Sequence, residues 1–323
     1  MNTASNVNQN SALLTGATGF IGNHLAKKLL REGWQVHLVI RESSDVGKLE
    51  SLPGLSKLHQ HNGTTDGMIK IMQAVRPNVV FHIASQLTAT HVPKEVESVI
   101  LSNILFGTQL LEAMIHANVR YFVNTGTFWQ HYEGKEYNPV DLYAATKEAF
   151  QAILRYYTEC TPIRAITLKL FDVYGPGDTR NKLFHLFEKT HQTGETLAMT
   201  PGEQYLDLVY IDDVVEAFYH AAELLRSSEG RVLEDSYAVS SSQRIRLKEV
   251  VTTYERLSGR RLNIHWGGRA YRAREIMKPC KGKALPGWKA RIDLETGIRL
   301  MLSESNEGTL KKETLALGDK NRG

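Results

Sequence analysis

Tyr143-Ala144-Ala145-Thr146-Lys147 sets a phenol and an ammonium four residues apart, which on a helix is one turn along a shared face. A phenol with an unperturbed pKa of ~10 is a poor proton donor or acceptor at neutral pH, and a neighbouring cation that favours its phenolate brings it nearer to working range. The spacing alone also fits an ordinary surface pair; its context points to acid–base work. Thr15-Gly16-Ala17-Thr18-Gly19-Phe20-Ile21-Gly22 places glycines three apart between an apolar run and a helical pattern. Glycines there permit a tight turn and close backbone approach, and the N–H groups of a helix start attract a diphosphate. Gly16, Thr18, Gly19, Phe20, Ile21 and Gly22 are therefore candidate dinucleotide contacts, against the alternative of a plain strand-to-helix turn. The second apolar run ends Ile40-Arg41-Glu42-Ser43-Ser44. A carboxylate expected there for the adenosine ribose of NAD is replaced by a guanidinium, which suits the 2′-phosphate of NADP. NADP(H) is the expected cofactor and Arg41 its candidate reader, an exposed loop arginine being the other possibility.

These residues need a scaffold that carries them to one place. Short apolar runs at Ser11–Thr15, Val36–Ile40, Leu55–His61, Val79–Ala84, Tyr121–Thr125 and Ala165–Phe171 read as buried strands. Helical patterns at Ile21–Arg31, Val96–Ala117 and Leu142–Tyr157 alternate with them, as expected for an α/β, doubly wound parallel sheet. Gly175-Pro176-Gly177-Asp178 breaks that pattern, and a Thr-rich stretch follows. The pattern predicts a first domain from residues 11–172 with 206–240, and a smaller C-terminal substrate-binding domain from 173–205 with 241–310. Residues 1–10 and 311–323 read as polar tails.

The 323 residues carry 42% hydrophobic and 23% charged side chains, which excludes disordered, collagen-like and coiled-coil classes. Cys160 and Cys280 cannot make a disulfide framework or a four-ligand zinc site, and they fit a reducing, cytoplasmic setting. The N-terminus shows no signal-peptide pattern, and the apolar runs fall far short of the ~18 residues of a membrane span, so no membrane partner is expected. His59 and His61 are two apart on a strand without a third ligand, which predicts no metal site. From Arg244 to Arg299 fifteen Lys and Arg face five Asp and Glu, a balance of +10 in a chain of net charge +4. Without aromatic interleaving this tract is not a nucleic-acid surface, and it fits either an anionic pocket or a solvated face.

In order, the segments Thr15–Gly22, Val80-Phe81-His82-Ile83-Ala84, Asn103–Ala113, Thr125-Gly126-Thr127, Tyr143–Lys147, Val173–Asp178, Val209–Val215 and Leu285-Pro286-Gly287-Trp288 resemble the extended short-chain dehydrogenase/reductases, the NAD-dependent epimerase/dehydratase family. The resemblance implies a Rossmann domain, a catalytic triad of Thr127, Tyr143 and Lys147, and a cofactor lined also by Ala84. It further implies a nucleotide-diphosphate sugar as substrate, held mostly by the chain after Tyr174, and a homodimer. Tyr174–Lys182 and Thr200–Val215 are most similar to the CDP-abequose and CDP-paratose synthase type, which reduces the 4-keto group of a nucleotide-linked deoxysugar with NADPH in bacterial surface polysaccharide synthesis. Two positions depart from the family: Asp172 stands where Asn is usual, and Leu206 where an Arg grips the diphosphate. Lys182, Arg272 and Arg274 are candidate replacements, and Trp129 a candidate pocket wall. Phe128 and Trp129 beside Thr127 cannot transfer the protons a dehydratase needs, and Arg41 favours exchangeable NADPH over the tightly bound NAD of a 4-epimerase. A non-catalytic NADP sensor would not need Tyr143 and Lys147.

Overall fold

Runs of four to seven residues, separated by amphipathic helices, are long enough to cross a sheet and, except for the polar run Leu55–His61, too apolar to face water on either side. In the computed structural model, which describes residues 10–50, 52, 54–227 and 236–304, they become β1 Ser11–Thr15, β2 Gln35–Arg41, β3 Leu55–His61, β4 Val79–His82, β5 Tyr121–Thr127, β6 Arg164–Leu170 and β7 Ser236–Val239. Their order is β7-β6-β5-β4-β1-β2-β3, with every pairing parallel. The sheet reverses direction of growth between β1 and β4, the position where such sheets bind ligands at the carboxyl ends of their strands. This is the doubly wound class expected from the alternation.

The helices that position the site are α1 Phe20–Arg31, α2 Thr65–Val75, α3 Phe106–Ala117 and α4 Leu142–Cys160. On one face α2, α3 and α4 bury Met68, Met72, Leu110, Met114, Phe150 and Leu154 against Leu13, Val80 and Phe122 of the sheet. Residues Pro93–Ala117 form one continuous helical stretch with a mean hydropathy of 1.5, long and apolar enough by length and composition to cross a membrane. This corrects the expectation that no such segment exists. Its second half owes that character to packing, since Leu110, Leu111, Ala113 and Met114 are core residues.

The chain divides into two units. The first runs to Phe171 and adds Val214–Val239 and Cys280–Lys289; the second holds Asp172–Asp213, Ser240–Pro279 and the chain from Ala290 onward. Residues 206–213 thus fall in the second unit, and 280–289 in the first, where Ala284 pairs with Ala238 of β7. Between residues 205 and 210 the second unit forms two short strands, Tyr205–Leu206 and Leu208–Tyr210. They part at Asp207, whose carboxylate accepts hydrogen bonds from Ser240 and Ser241. The polar tails expected at 1–10 and 311–323 lie, apart from Asn10, outside the described residues.

Candidate active site

β1 ends at Thr15 and the chain turns at Gly16, where φ is +76°, a conformation that glycine adopts without a Cβ penalty. A methyl at Gly16 would lie 2.6 Å from the Ala84 nitrogen, and one at Gly22 only 2.2 Å from the Gly16 carbonyl oxygen. Gly19 begins α1 with no side-chain cap, which leaves the first-turn N–H groups and the positive end of the helix for an anion. Thr18 and Gly19 are exposed, Phe20 and Ile21 half-buried. Opposite them, the Ala84 N–H donates to Thr15 Oγ1 at 3.2 Å, and that hydroxyl lies 3.0 Å from His82 Nδ1. Burial first, and the Lys147 charge second, hold the His82 pKa down at about 3. His82 is therefore neutral, and its Nδ1 shares a hydrogen bond with the Thr15 hydroxyl. A glycine turn packed this closely on a backbone fits a dinucleotide, and its cradle is what a Cβ would fill. Arg41 ends β2 with its side chain exposed, and Ser44 Oγ accepts its backbone N–H at 3.0 Å.

Thr127 is the last residue of β5, two residues beyond the strand end that periodicity predicts. Its position is fixed from behind by Gln130, a fully buried amide. Gln130 Oε1 accepts the Thr127 N–H at 2.9 Å, while Nε2 donates to Glu148 Oε2 at 2.6 Å and Gln151 Oε1 at 3.0 Å. Sequence reasoning passed over Gln130; the signal available was an amide three residues past Thr127 at a capping-box position. Trp129 sits half-buried in the same short turn and meets Phe128 edge to face.

Asp141 caps α4 by accepting the Ala144 N–H at 2.8 Å, which starts the helix where Tyr143 and Lys147 share a face. Both are buried, at 6% and 2% exposure, and the Lys147 ammonium lies 6.0 Å from the Tyr143 ring centroid. Desolvation lowers the Lys147 pKa to about 8, so at neutral pH it remains mostly a cation beside the phenol. Asn103, which begins one of the segments that carry the resemblance but was given no role of its own, ties this helix to the loop after β4. It donates to Thr146 Oγ1 and the Gln86 carbonyl, both at 3.0 Å, and accepts from Ser85 Oγ and the Gln86 N–H. Asn103 lies in a π-helical turn, Leu101–Leu105, a device that often marks functional positions. A polar residue inside Ile100-Leu101-Ser102-Asn103-Ile104-Leu105 was its visible signal.

The second unit holds Asp172, Lys182, Arg272 and Arg274. It contains a cavity of about 290 Å³ lined by Asp172, Gly175, Lys182, Gln204 and Leu206, among others. Burial raises the Asp172 pKa, and Asp207 pushes the same way, against Lys182, Arg272 and Arg180. Lys182 stands at the start of the helix Leu183–Thr193. Arg272 is gripped by Glu275, with Nε 3.2 Å from Oε2. Neither Arg272 nor Arg274 lines the cavity, so of the three cations proposed for the diphosphate the structure brings only Lys182 to its wall.

The lowered Lys147 value has a measurable sign. Between about pH 8 and 10.5 the unfolded chain keeps a proton that the folded chain has released, so this group makes folding more favourable as pH rises through that window. Compared with Lys147→Met, the parent should gain roughly 3 kcal/mol of unfolding free energy across it, and nothing below it. Denaturant titrations at stepped pH check this; a difference that stays flat would place Lys147 in water.

The NAD dependent epimerase/dehydratase family matches residues 12–234 of the chain. The chain is 28% identical to the CDP-abequose synthase of Salmonella muenchen over 302 residues, 90% of this chain and 96% of that protein. It is 27% identical to the CDP-abequose synthase of Yersinia pseudotuberculosis over 83% of this chain and 90% of that one. Its fold is similar to the UDP-glucose 4-epimerase of Thermotoga maritima solved with UDP-glucose, with a TM-score of 0.80 at 22% identity over 93% and 99% of the two chains. The Thermus thermophilus UDP-glucose 4-epimerase solved with NAD gives a TM-score of 0.75 at 24% identity over 91% and 98%. With the glycine turn, the buried Tyr143–Lys147 pair and a match spanning two thirds of its length, the chain belongs to the NAD dependent epimerase/dehydratase family.

Proposed function

We propose that the protein is an NADPH-dependent reductase of the 4-keto group of a nucleotide-linked deoxysugar, CDP-linked in the first instance, acting as a cytoplasmic homodimer in bacterial surface polysaccharide synthesis. The observation that carries the chemistry is the buried Lys147 cation one helical turn from Tyr143, with Thr127 closing the neighbouring strand β5. Relatives named CDP-abequose synthase support the sugar nucleotide, and Arg41 at the end of β2 supports NADPH. A chain with only two cysteines, Cys160 and Cys280, suits a reducing compartment. Exposed Val96, Ile100, Leu101 and Leu105 on one helical stretch, with Tyr156 on α4, are apolar surface suited to a second copy.

Gly16, Gly19, Gly22, Ala84 and Arg41 would hold the cofactor, which when bound supplies the hydride. The Thr127 hydroxyl donates to the sugar carbonyl oxygen and fixes its angle. As negative charge grows on that oxygen, the Tyr143 hydroxyl protonates it. Lys147 stabilises the phenolate left behind until solvent returns the proton. Asn103 and Gln130 keep helix and strand in register, so these donors are aimed before the charge develops. Lys182 meets the substrate diphosphate.

Incubation with NADPH and a panel of CDP-, dTDP-, GDP- and UDP-linked 4-keto sugars, followed at the nicotinamide absorbance band, tests the reading. Consumption of NADPH with a nucleotide-linked sugar supports it. Interconversion of 4-epimers without added NADPH would identify a 4-epimerase, and cofactor binding without any turnover a sensor. Tyr143→Phe should keep cofactor binding and lower kcat at least ~100-fold; near-parental turnover would remove Tyr143 from the mechanism. Arg41→Ala should weaken NADPH by ~1.5–3 kcal/mol and leave NADH unchanged; equal loss of both would make Arg41 a loop residue only. Lys182→Ala should raise KM for the sugar nucleotide about tenfold at nearly constant kcat, with Arg272→Ala and Arg274→Ala smaller, because the diphosphate contact is the same in ground and transition states. Parental KM in all three variants would place the diphosphate elsewhere.

A further inference from the structure

The β5–α4 loop that aims Thr127 also walls a second cavity of the first unit, about 380 Å³ in volume. Neither Tyr143 nor Lys147 nor any residue of the glycine turn lines it. Arg155 of α4, Lys169 of β6, and Lys281 and Lys283 of the segment beside β7 bring four cations to its wall, against the carboxylates of Glu136 and Glu148. Glu148 already accepts from Gln130.

A lysine is unusual in a strand flanked by buried neighbours, and Lys169 directs its ammonium to His131 Nε2 at 2.6 Å. The other ring nitrogen of His131 faces the Lys135 carbonyl at 3.2 Å. A carbonyl only accepts, so Nδ1 carries the hydrogen and Nε2 the lone pair. His131 thus accepts from the Lys169 ammonium, which can only donate, and steers it.

Phe128, Tyr137, Phe171 and Tyr237 supply flat apolar wall, and the Lys283 ammonium lies 5.9 Å from the Tyr237 ring centroid. Excess positive charge beside aromatic surface, in a concavity within the ~300–1,000 Å³ range of ligand sites, suits an anion carried on a planar ring. Lysines act as point charges for phosphate and Arg155 offers a planar fork.

We propose that this cavity binds a small phosphate monoester borne by a heteroaromatic ring, of mononucleotide size. Its occupant touches Glu148 and Gln151, the two residues that hold Gln130, and so sits two hydrogen bonds from the Thr127 backbone.

Calorimetric titration of the full chain with AMP, CMP and inorganic phosphate tests this without any turnover, so its outcome is independent of the reductase reading. The substrate cavity of the second unit can also take a nucleotide, and variants separate the two. Lys281 and Lys283 are exposed, so Lys281→Ala/Lys283→Ala should fold normally. This double variant is expected to weaken nucleoside monophosphate binding at least tenfold, and Lys169→Met likewise, while Lys182→Ala leaves that binding event unchanged. Inorganic phosphate should bind at least tenfold more weakly than the monophosphates. Unchanged affinity in the double variant, or no binding of either nucleotide at millimolar concentration, overturns the site; equal affinity for inorganic phosphate overturns the ring requirement.

Discussion

An ammonium removed from water regains hydration by any motion that opens a path, so a buried lysine holds its place only if its surroundings cannot give. Around Lys147 they are tied at several points. Asp141 fixes where α4 starts, Asn103 fixes its second turn through Thr146, and Phe150 sits in a notch where Gly107 leaves room, since a methyl there would lie 2.4 Å from the ring. Phe150 also stacks edge-on to His82 at 5.5 Å and to Phe122 at 6.4 Å. The cation acts back on this frame. With burial it keeps His82 neutral, and His82 is hydrogen-bonded to the Thr15 hydroxyl that accepts the Ala84 N–H beside the glycine turn. One run of contacts therefore joins the surroundings of Lys147 to the glycine turn.

Much of this was legible in the sequence because it rests on local rules. Glycine spacing, strand–helix alternation and an i, i+4 pair need only the chain's own periodicity, and the structure has a strand or helix at each place they predicted one. What escaped was set by partners remote in sequence. β4 stops at His82 and not at Ala84 because the Ala84 N–H is taken by Thr15, sixty-nine residues away. Asp207 splits an apolar run because Ser240 and Ser241 claim its carboxylate. Residues 280–289 join the first unit through β7, a pairing no periodicity announces. Gln130 looks like any polar residue until Glu148 and Gln151 are seen beside it.

Charge counting left two readings of the basic tract open for a related reason. Much of the positive tract from Arg244 onward is answered within the second unit: Lys248 and Arg246 by Glu203, Arg256 by Glu295, Arg260 by Glu188, Arg261 by Glu255 and Arg272 by Glu275. The lysine that reaches the cavity of that unit, Lys182, lies outside the tract. A tally of signs along a chain reports neither distance nor prior commitment. Only the folded arrangement separates cations that brace carboxylates from those facing a cavity.

The π-helical turn Leu101–Leu105 is in effect one residue inserted into a helix. Each residue of an α-helix advances it by ~100°, so removing the extra one would swing Phe106–Ala117 by that angle against what precedes it. Asn103 could then face Thr146, or Leu110 and Met114 could face the core, but a regular helix could not do both. Insertion and asparagine are useful only as a pair, and in chains of common descent they should be gained or lost together, as a single heritable character.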